Sequence, residues 1–420
     1  MNDRKSLFGR VEKIIFGGYG LIRSTESHPT LFIPYTSAGE YLEDIEPKIE
    51  KKNHILCEKK DKKDVLAKTA HLCSHYTQCQ GCQLMHLSYP EQLESKKSMI
   101  QDVFCKNSFS LQKEEIQIYP SPKITNYRRK IKLYSFWDEN TQKWSVRYFE
   151  KMPINSCILF DDSIIKIFNE HFFAFIPKEK WSIYICIEML KNNSFLVKIT
   201  HPQLDKKFIL SLPIFDTLPK YIDTFMINEE CLWGKDSFQI TYNHGTFEYN
   251  SRCFMQNNLE LIQVLYTHLH EQLKLFPIET ILDLYCGMGV TSSLFASLGK
   301  KVIGVEENPH SIELALKRKE ENIEYFVSKI EDFHFFHHTK KFDCVFMNPP
   351  RVGLHKKALE KIVSLKAPYL IYSSCMISTL ERDLLLLKKE NYEIIFHAFY
   401  DFFPHTTHFE SLIILKDKNK

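Results

Sequence analysis

"TILDLYCGMGVTSSLFASLGKKVIGVEENPHSIELA", Thr280 to Ala315, decides the fold. An apolar strand ends at Asp283, a Gly287-x-Gly289 turn follows, and then come a helix, a second apolar strand and an acidic residue, Glu306, at that strand's end. The glycines permit a tight turn and close backbone approach at a helix N-terminus, and a carboxylate about twenty positions on can accept both hydroxyls of a ribose. The third glycine of G-x-G-x-x-G is absent, because Ser292 holds its position. Without a pyrophosphate to cradle, the backbone need not come so close. The stretch reads as a nucleoside-cofactor site suited to S-adenosylmethionine rather than NAD. The plain alternative is a structural strand-turn-helix of a doubly wound sheet.

Downstream, strands and helices alternate to the C-terminus, which implies a mostly parallel sheet covered on both faces. "FDCVFMNPPRVGL" breaks an apolar strand with Asn348-Pro349-Pro350, forcing a rigid extended loop at its carboxyl end, where such sheets bind substrate. Amino-methyltransferases acting on bases use a similar tetrapeptide with an aromatic fourth residue. Here the fourth is Arg351, a poorer stacking plane and a better phosphate partner.

"YSSCMISTLERDL", Tyr372 to Leu384, ends an apolar strand on Cys375 just ahead of a helix. The amino end of a helix favours a thiolate. An exocyclic amine needs no covalent help, but C5 of uracil becomes nucleophilic only after something adds to C6, and a thiolate can do that. A buried core cysteine is the bland alternative. "YDFFPHTTHFESLIIL" then offers His405, His408 and Glu410 before a final apolar strand, with Glu410 a proton acceptor if its pocket lifts its pKa.

Upstream the composition changes. Residues 7 to 56 alternate short apolar runs with turns, as a small barrel of OB type does. "EKKDKKDVLAK", Glu58 to Lys68, reads as a charged connector. Residues 116 to 250 are strand-like, and an amphipathic helix follows "CFMQNN". "CSHYTQCQGCQLMHL" carries Cys73, Cys79 and Cys82, and Cys157 in "NSCILF" could close a site from far along the chain. Four thiolates suit either zinc or an iron-sulfur cluster. "NYRRKIKLY" sets Arg128, Arg129, Lys130 and Lys132 between Tyr127 and Tyr134, an interleaving that can track phosphates and stack bases.

The whole chain, 420 residues, 44% hydrophobic and 25% charged, suits a globular protein of two or three domains. A net charge of +3 is too mild to identify a nucleic-acid partner by itself. No apolar run has the length of a bilayer span, and "MNDRKSLFGRVEKI" lacks a secretory h-region, so a cytoplasmic protein with no membrane partner is expected. In that reducing compartment the twelve cysteines are not a disulfide framework.

"SSCMISTLERDL" and "DFFPHTTHFES", with "LDLYCGMG" and "NPPR" upstream, resemble the S-adenosylmethionine-dependent RNA uracil-5 methyltransferases. The resemblance implies that Cys375 is the nucleophile and Glu410 the base, and that Gln256, Tyr285, Glu306 and Asn348 contact S-adenosylmethionine. The cysteine spacing resembles the iron-sulfur branch of the family, which implies a 4Fe-4S cluster on Cys73, Cys79, Cys82 and Cys157. The N-terminal barrel looks like a TRAM domain. The implied fold is α/β: a Rossmann-like methyltransferase domain over 251–420, a TRAM-like OB barrel over 1–60, and a β-rich central iron-sulfur and RNA-binding domain over 61–250. The expected partner is RNA, 23S ribosomal RNA in particular, met by a monomer. The alternatives are a transfer-RNA uracil-5 methyltransferase, a base amino-methyltransferase, and an RNA-binding or assembly factor with a decayed cofactor site. Two departures from the family pattern motivate the last: Val290 stands where many members carry asparagine, and Met376-Ile377 where Asn-Pro usually follows the cysteine; Asn348 also departs, standing where they carry aspartate.

Overall fold

The computed structural model describes residues 7–24, 29–60, 72–106, 115–138, 142–148, 152–161, 165, 183–190, 194–201, 222–334 and 341–420. Most of the charged stretch after Lys60 lies outside them. The chain divides into two compact units: Met1–Met99, Lys123–Asp236 and Pro404–Thr407 in the first, and Ile100–Pro122, Ser237–Phe403 and His408–Lys420 in the second. No helix among the described residues is long and apolar enough to cross a membrane.

The first unit opens with a six-stranded sheet of β1 (Leu7–Arg10), β2 (Lys13–Ile15), β3 (Tyr19–Ile22), β4 (Thr30–Pro34), β5 (Tyr41–Glu50) and β6 (His54–Lys59), in the order β1-β5-β6-β4-β3-β2. Alternating burial along β3 and β4 turns Ile22, Leu31 and Ile33 into one core with Val11, Ile14, Leu42 and Ile45. A second sheet has seven strands: β8 (Lys130–Asp138), β9 (Lys143–Tyr148), β10 (Met152–Pro153), β11 (Ile183–Met189), β12 (Phe195–Thr200), β13 (Ile222–Ile227) and β14 (Glu230–Trp233). One face of it carries the core of Ile131, Leu133, Ile185, Ile187, Val197 and Phe225.

The second unit is built on an eight-stranded sheet. Its strands are β7 (Ile118–Tyr119), β17 (Thr280–Leu284), β18 (Lys301–Glu306), β19 (Ile323–Val327), β20 (Cys344–Met347), β21 (Tyr369–Ser374), β22 (Tyr392–Tyr400) and β23 (Glu410–Asp417), in the order β19-β18-β17-β20-β21-β23-β22-β7. Strands β17 to β21 are parallel and fully buried over β17, β20 and β21 apart from the first residue of β17, as a sheet covered on both faces requires. The order reverses between β17 and β20, which puts a crevice at their carboxyl ends. A hairpin of β15 (Phe238–Tyr242) and β16 (Gly245–Tyr249) belongs to this unit. With α1 assigned to Tyr89–Lys106, the helices of the second unit are α2 (Leu259–Lys274), α3 (Val290–Ser297), α4 (Pro309–Leu316), α5 (Lys356–Ser364) and α6 (Ile377–Lys389). The Rossmann-like α/β reading of Thr280–Ala315 holds. Asn258 caps α2 by accepting from Leu261 N at 3.1 Å, and Asn308 caps α4 ahead of Pro309.

Candidate active site and thiol pocket

The crevice is assembled from strand ends. Beyond β17 the backbone turns through three left-handed residues, Tyr285 (φ 61), Gly287 (φ 56) and Gly289 (φ 80). Gly289 is required twice over: it is the N-cap of α3, and a Cβ there would meet Tyr325 Oη at 2.2 Å. A Cβ on Gly287 would meet nothing within 4 Å, so the turn faces open space. Glu306, at the end of β18, accepts from Gly287 N (3.2 Å) and Asn308 N (2.9 Å). Its two oxygens keep further lone pairs for ribose hydroxyls. Asp283 is buried beneath the turn, where desolvation lifts it to about 7 against the hydroxyls of Ser292 and Thr291.

Tyr285 and Glu306 thus adjoin, Tyr285 N bonding to Val305 O at 2.9 Å. Asn348, half-buried after β20, is joined to β17 through its N–H to Leu284 O. Gln256 is half-buried in the segment before α2, and that segment runs along the same corner: Asn308 Nδ2 donates to Arg252 O at 2.9 Å. Beside the turn lies a cleft of about 450 Å³ whose lining includes Tyr285, Ser328, Lys329, Pro350 and His355. The residues present fit a nucleoside cofactor. Val290, where asparagine is usual, is buried at the start of α3 and accepts from His244 Nε2 through its carbonyl.

Cys375 follows β21 directly, and Glu410 is the first residue of β23, which pairs antiparallel with β21 through Ser374↔Ser411. The two residues therefore meet although they are far apart in sequence. Burial pushes the Cys375 thiol up to about 11, the nearby Glu410 charge adds to the rise, and the Arg351 charge and guanidinium hydrogen bond pull it back. Glu410 is 4% exposed, and desolvation lifts its carboxyl to about 8 against Ser373 and Arg351. Arg351, which the sequence suggests as a phosphate partner, stands against the thiol instead; no local signal in "NPPR" indicates this. The Cys375 loop lacks Asn-Pro but is braced otherwise. Ser374 Oγ accepts from Met376 N (3.2 Å), Thr379 Oγ1 donates to Met376 O (3.0 Å), and no acidic residue stands in the first turn of α6.

In the first unit, Cys73, Cys79, Cys82 and Cys157 all line one pocket with Arg128 and Tyr148. Cys157 reaches it because its segment pairs with residues 126–128 through Arg128 N to Leu159 O (2.9 Å). Burial raises the Cys79, Cys82 and Cys157 thiols, and neighbouring thiolates raise them further. Arg128 lowers them and has an Nε with no hydrogen-bond partner. Among the described residues no three His, Cys, Asp or Glu groups gather closely enough to hold a metal ion. The four thiols share a pocket without converging on one point. His75 and His86 are engaged elsewhere, with Asn155 Oδ1 (2.7 Å) and with Tyr76 Oη and Thr36 O (both 2.8 Å); His71 lies outside the described residues.

"NYRRKIKLY" is not the basic stripe its composition suggests. Arg128 points into the thiol pocket, Lys130 pairs with buried Glu188 at 3.0 Å, Arg129 donates to Met189 O, and Tyr127 is buried, donating to Pro404 O. Only Lys132 and half-buried Tyr134 face outward. Strand alternation and partner strands override the linear pattern.

Residues 225–418 match the family model described as tRNA (uracil-5-)-methyltransferase. An uncharacterised RNA methyltransferase of Protochlamydia amoebophila is 28% identical over 432 residues, covering 97% of each chain. One of Listeria monocytogenes is 29% identical over 386 residues, covering 83% of this chain and 84% of its own. Among solved structures, the Pyrococcus abyssi tRNA (uracil-54, C5)-methyltransferase in complex with S-adenosyl-L-homocysteine superposes with a TM-score of 0.72 at 21% identity, over 97% of this chain and 100% of that one. This chain is an RNA methyltransferase, and its residues 225–418 are similar to the tRNA (uracil-5-)-methyltransferases.

Proposed function

We propose that the protein methylates C5 of a uridine in RNA, with S-adenosylmethionine as donor, through a covalent adduct between Cys375 and C6. The observation that carries the reading is the meeting of Cys375, Glu410 and Arg351 at the carboxyl end of β21 and the amino end of β23. An amino-methyltransferase has no use for a thiol and a buried base side by side. When bound, S-adenosylmethionine supplies an electrophilic methyl group. Glu306 and the Gly287 turn hold its ribose, with Tyr285, Gln256 and Asn348 around it. Arg351 favours the thiolate of Cys375, which adds to C6 and gives C5 the electron density to take the methyl. Glu410 then removes the C5 proton, and elimination frees the thiolate. A pKa near 8 makes this step faster as pH rises toward that value. A uracil inside a helix hides C6, so the target is unpaired or flipped.

The pocket of Cys73, Cys79, Cys82 and Cys157 is proposed to hold a 4Fe-4S cluster. Its support is the donor set and the half-buried Arg128, whose buried, unpartnered Nε wants an anion that a tetrathiolate cluster supplies. Anaerobic purification with iron, sulfide and zinc analysis tests it, and stoichiometric zinc without iron overturns it.

The proposed substrate is 23S ribosomal RNA, and the protein is read as a monomer. The whole-chain likeness to an archaeal tRNA enzyme keeps transfer RNA as a second reading. Mapping 5-methyluridine in both RNA classes from cells with and without the gene separates them, and no lost position in either would refute the activity. Glu410→Gln keeps the thiol and cofactor site, so a methylated adduct that survives denaturing electrophoresis is expected; normal turnover without one would remove Glu410 as the base.

A further inference from the structure

Glu410 sits among few partners. Ser373 Oγ, from the strand beside it, donates to Glu410 Oε1 at 3.0 Å, and both residues are nearly inaccessible, at 3% and 4% exposure. The adjoining rung is closed by Ser411 Oγ donating to Ser374 O at 2.9 Å, so the two strand ends are fixed where the carboxylate emerges. The charged or titratable groups facing Glu410 are Arg351 from the loop after β20, Cys375 from the loop after β21, and the buried Tyr266 of α2. The carboxylate thus has one hydrogen-bond donor, a neutral hydroxyl held in a strand, while a guanidinium on a loop acts on it through its charge.

We propose that Ser373 is the positioning residue for Glu410, fixing Oε1 so that Oε2 is the oxygen that takes the substrate proton and so that Arg351 stays with Cys375. The inference rests on the reading of Glu410 as the base. Among the described residues no hydrogen bond is made to Oε2, which leaves that oxygen for the substrate. In the step it serves, the C5–H bond breaks and its electrons form the C5=C6 double bond. The C6–Sγ bond breaks to return Cys375 as thiolate, and the proton stays on Oε2. If the carboxylate were free to turn toward Arg351, an ion pair would lower its basicity and take from the thiol its stabilising cation at once.

Ser373→Ala tests this in the full-length protein with RNA and S-adenosylmethionine. Adduct formation should proceed, but elimination should slow. The fraction of enzyme trapped as methylated adduct should rise several-fold, with kcat falling roughly tenfold, the size expected for losing one hydrogen bond to a charged group. KM for RNA should stay within about twofold. The acidic limb of the kcat–pH profile should move to higher pH, because the hydroxyl no longer favours the carboxylate. Ser373→Thr keeps the donor and should hold the adduct fraction near the starting level. An equal rise in both variants would overturn the proposal by assigning the effect to packing, as would an alanine variant unchanged in adduct fraction and pH profile. Glu410→Gln in the same assay separates the two readings: if it traps adduct while Ser373→Ala is silent, only the role of Ser373 falls; if it traps none, the base assignment falls first.

Discussion

The thiol pocket of the first unit and the Cys375 corner of the second share two ingredients, thiols raised by burial and a guanidinium, but differ in the third. In the pocket, Arg128 faces four thiols and no carboxylate. At the corner, exposed Arg351 faces one thiol and one carboxylate. The permanent negative charge that the proposed cluster would bring suits a half-buried cation lining the same pocket. A nucleophile that gains and loses charge within a turnover suits a cation on a loop, balanced by an acid of raised pKa. The same residue type thus serves holding in one place and reacting in the other.

The strongest way to break that contrast is to exchange the lesions. Cys375→Ala should lower methyl transfer at least about a thousandfold with no covalent RNA complex, while leaving iron content unchanged. Cys82→Ser should do the reverse, losing iron while adduct still forms in the folded fraction. If Cys82→Ser abolished the adduct with its iron intact, the two sites would not be functionally separate.

The next effect is on stability. Glu410 is fully buried with its carboxyl raised from 4.5 to about 8. Between these values the unfolded chain sheds a proton that the folded one keeps, so stability falls as pH rises and levels off above about 8. Glu410→Gln removes this slope. Its gain in melting temperature should be absent near pH 4.5 and grow toward pH 8, where a slope of about 1.4 kcal/mol for each step of one in pH brings it to the order of 4 kcal/mol, on the order of three such steps. Equal melting shifts at pH 5 and pH 8 would mean that Glu410 ionises normally.

The two guanidiniums should then differ. If the pocket holds the proposed cluster, Arg128→Gln removes the cation beside its thiolates and should make iron loss during aerobic storage several times faster, with Cys375 alkylation unchanged. Arg351→Gln should leave iron alone and slow Cys375 alkylation at pH 8 by about tenfold, as a thiol pKa higher by about one would do. Matching effects from both variants would erase the distinction between holding and reacting.

Much of the second unit is legible locally. Strand, glycine turn, helix and terminal Glu306 follow one another at fixed spacing, and each polar residue falls at a strand end because the apolar run beside it is buried. The motifs single out Cys375 and Glu410 individually, but their adjacency comes from antiparallel pairing of β21 with β23, which no local pattern encodes. Ser373 is legible only afterwards, as the residue opposite Leu412 whose alternation brings it to the same face of the sheet as Glu410. The first unit hides more. Arg128 reads as solvated until the Cys157 segment is seen to pair beside it, and Lys130 until Glu188 comes from a strand many residues away.

That leaves Lys132 as the residue on which an RNA role for this strand depends. It is exposed, its Nζ lies 5.8 Å from the Tyr184 ring centroid, and Tyr134 packs edge-on to the same ring at 5.5 Å. A cation and two aromatic rings on one outer face can still meet a phosphate and a base. Lys130 cannot contribute in the same way, because freeing it would leave Glu188, already holding an unpartnered Oε1, as a buried unpaired charge. Lys132→Ala should therefore weaken RNA binding uniformly by about two- to threefold and reduce the slope of log K against log salt by about one. Lys130→Ala should lower the melting temperature and leave the salt slope as it was. A salt series of RNA affinities on both variants decides the matter: a slope unchanged by Lys132→Ala means that this face of β8 does not touch the RNA, and that the path of the substrate runs over other surfaces of the protein.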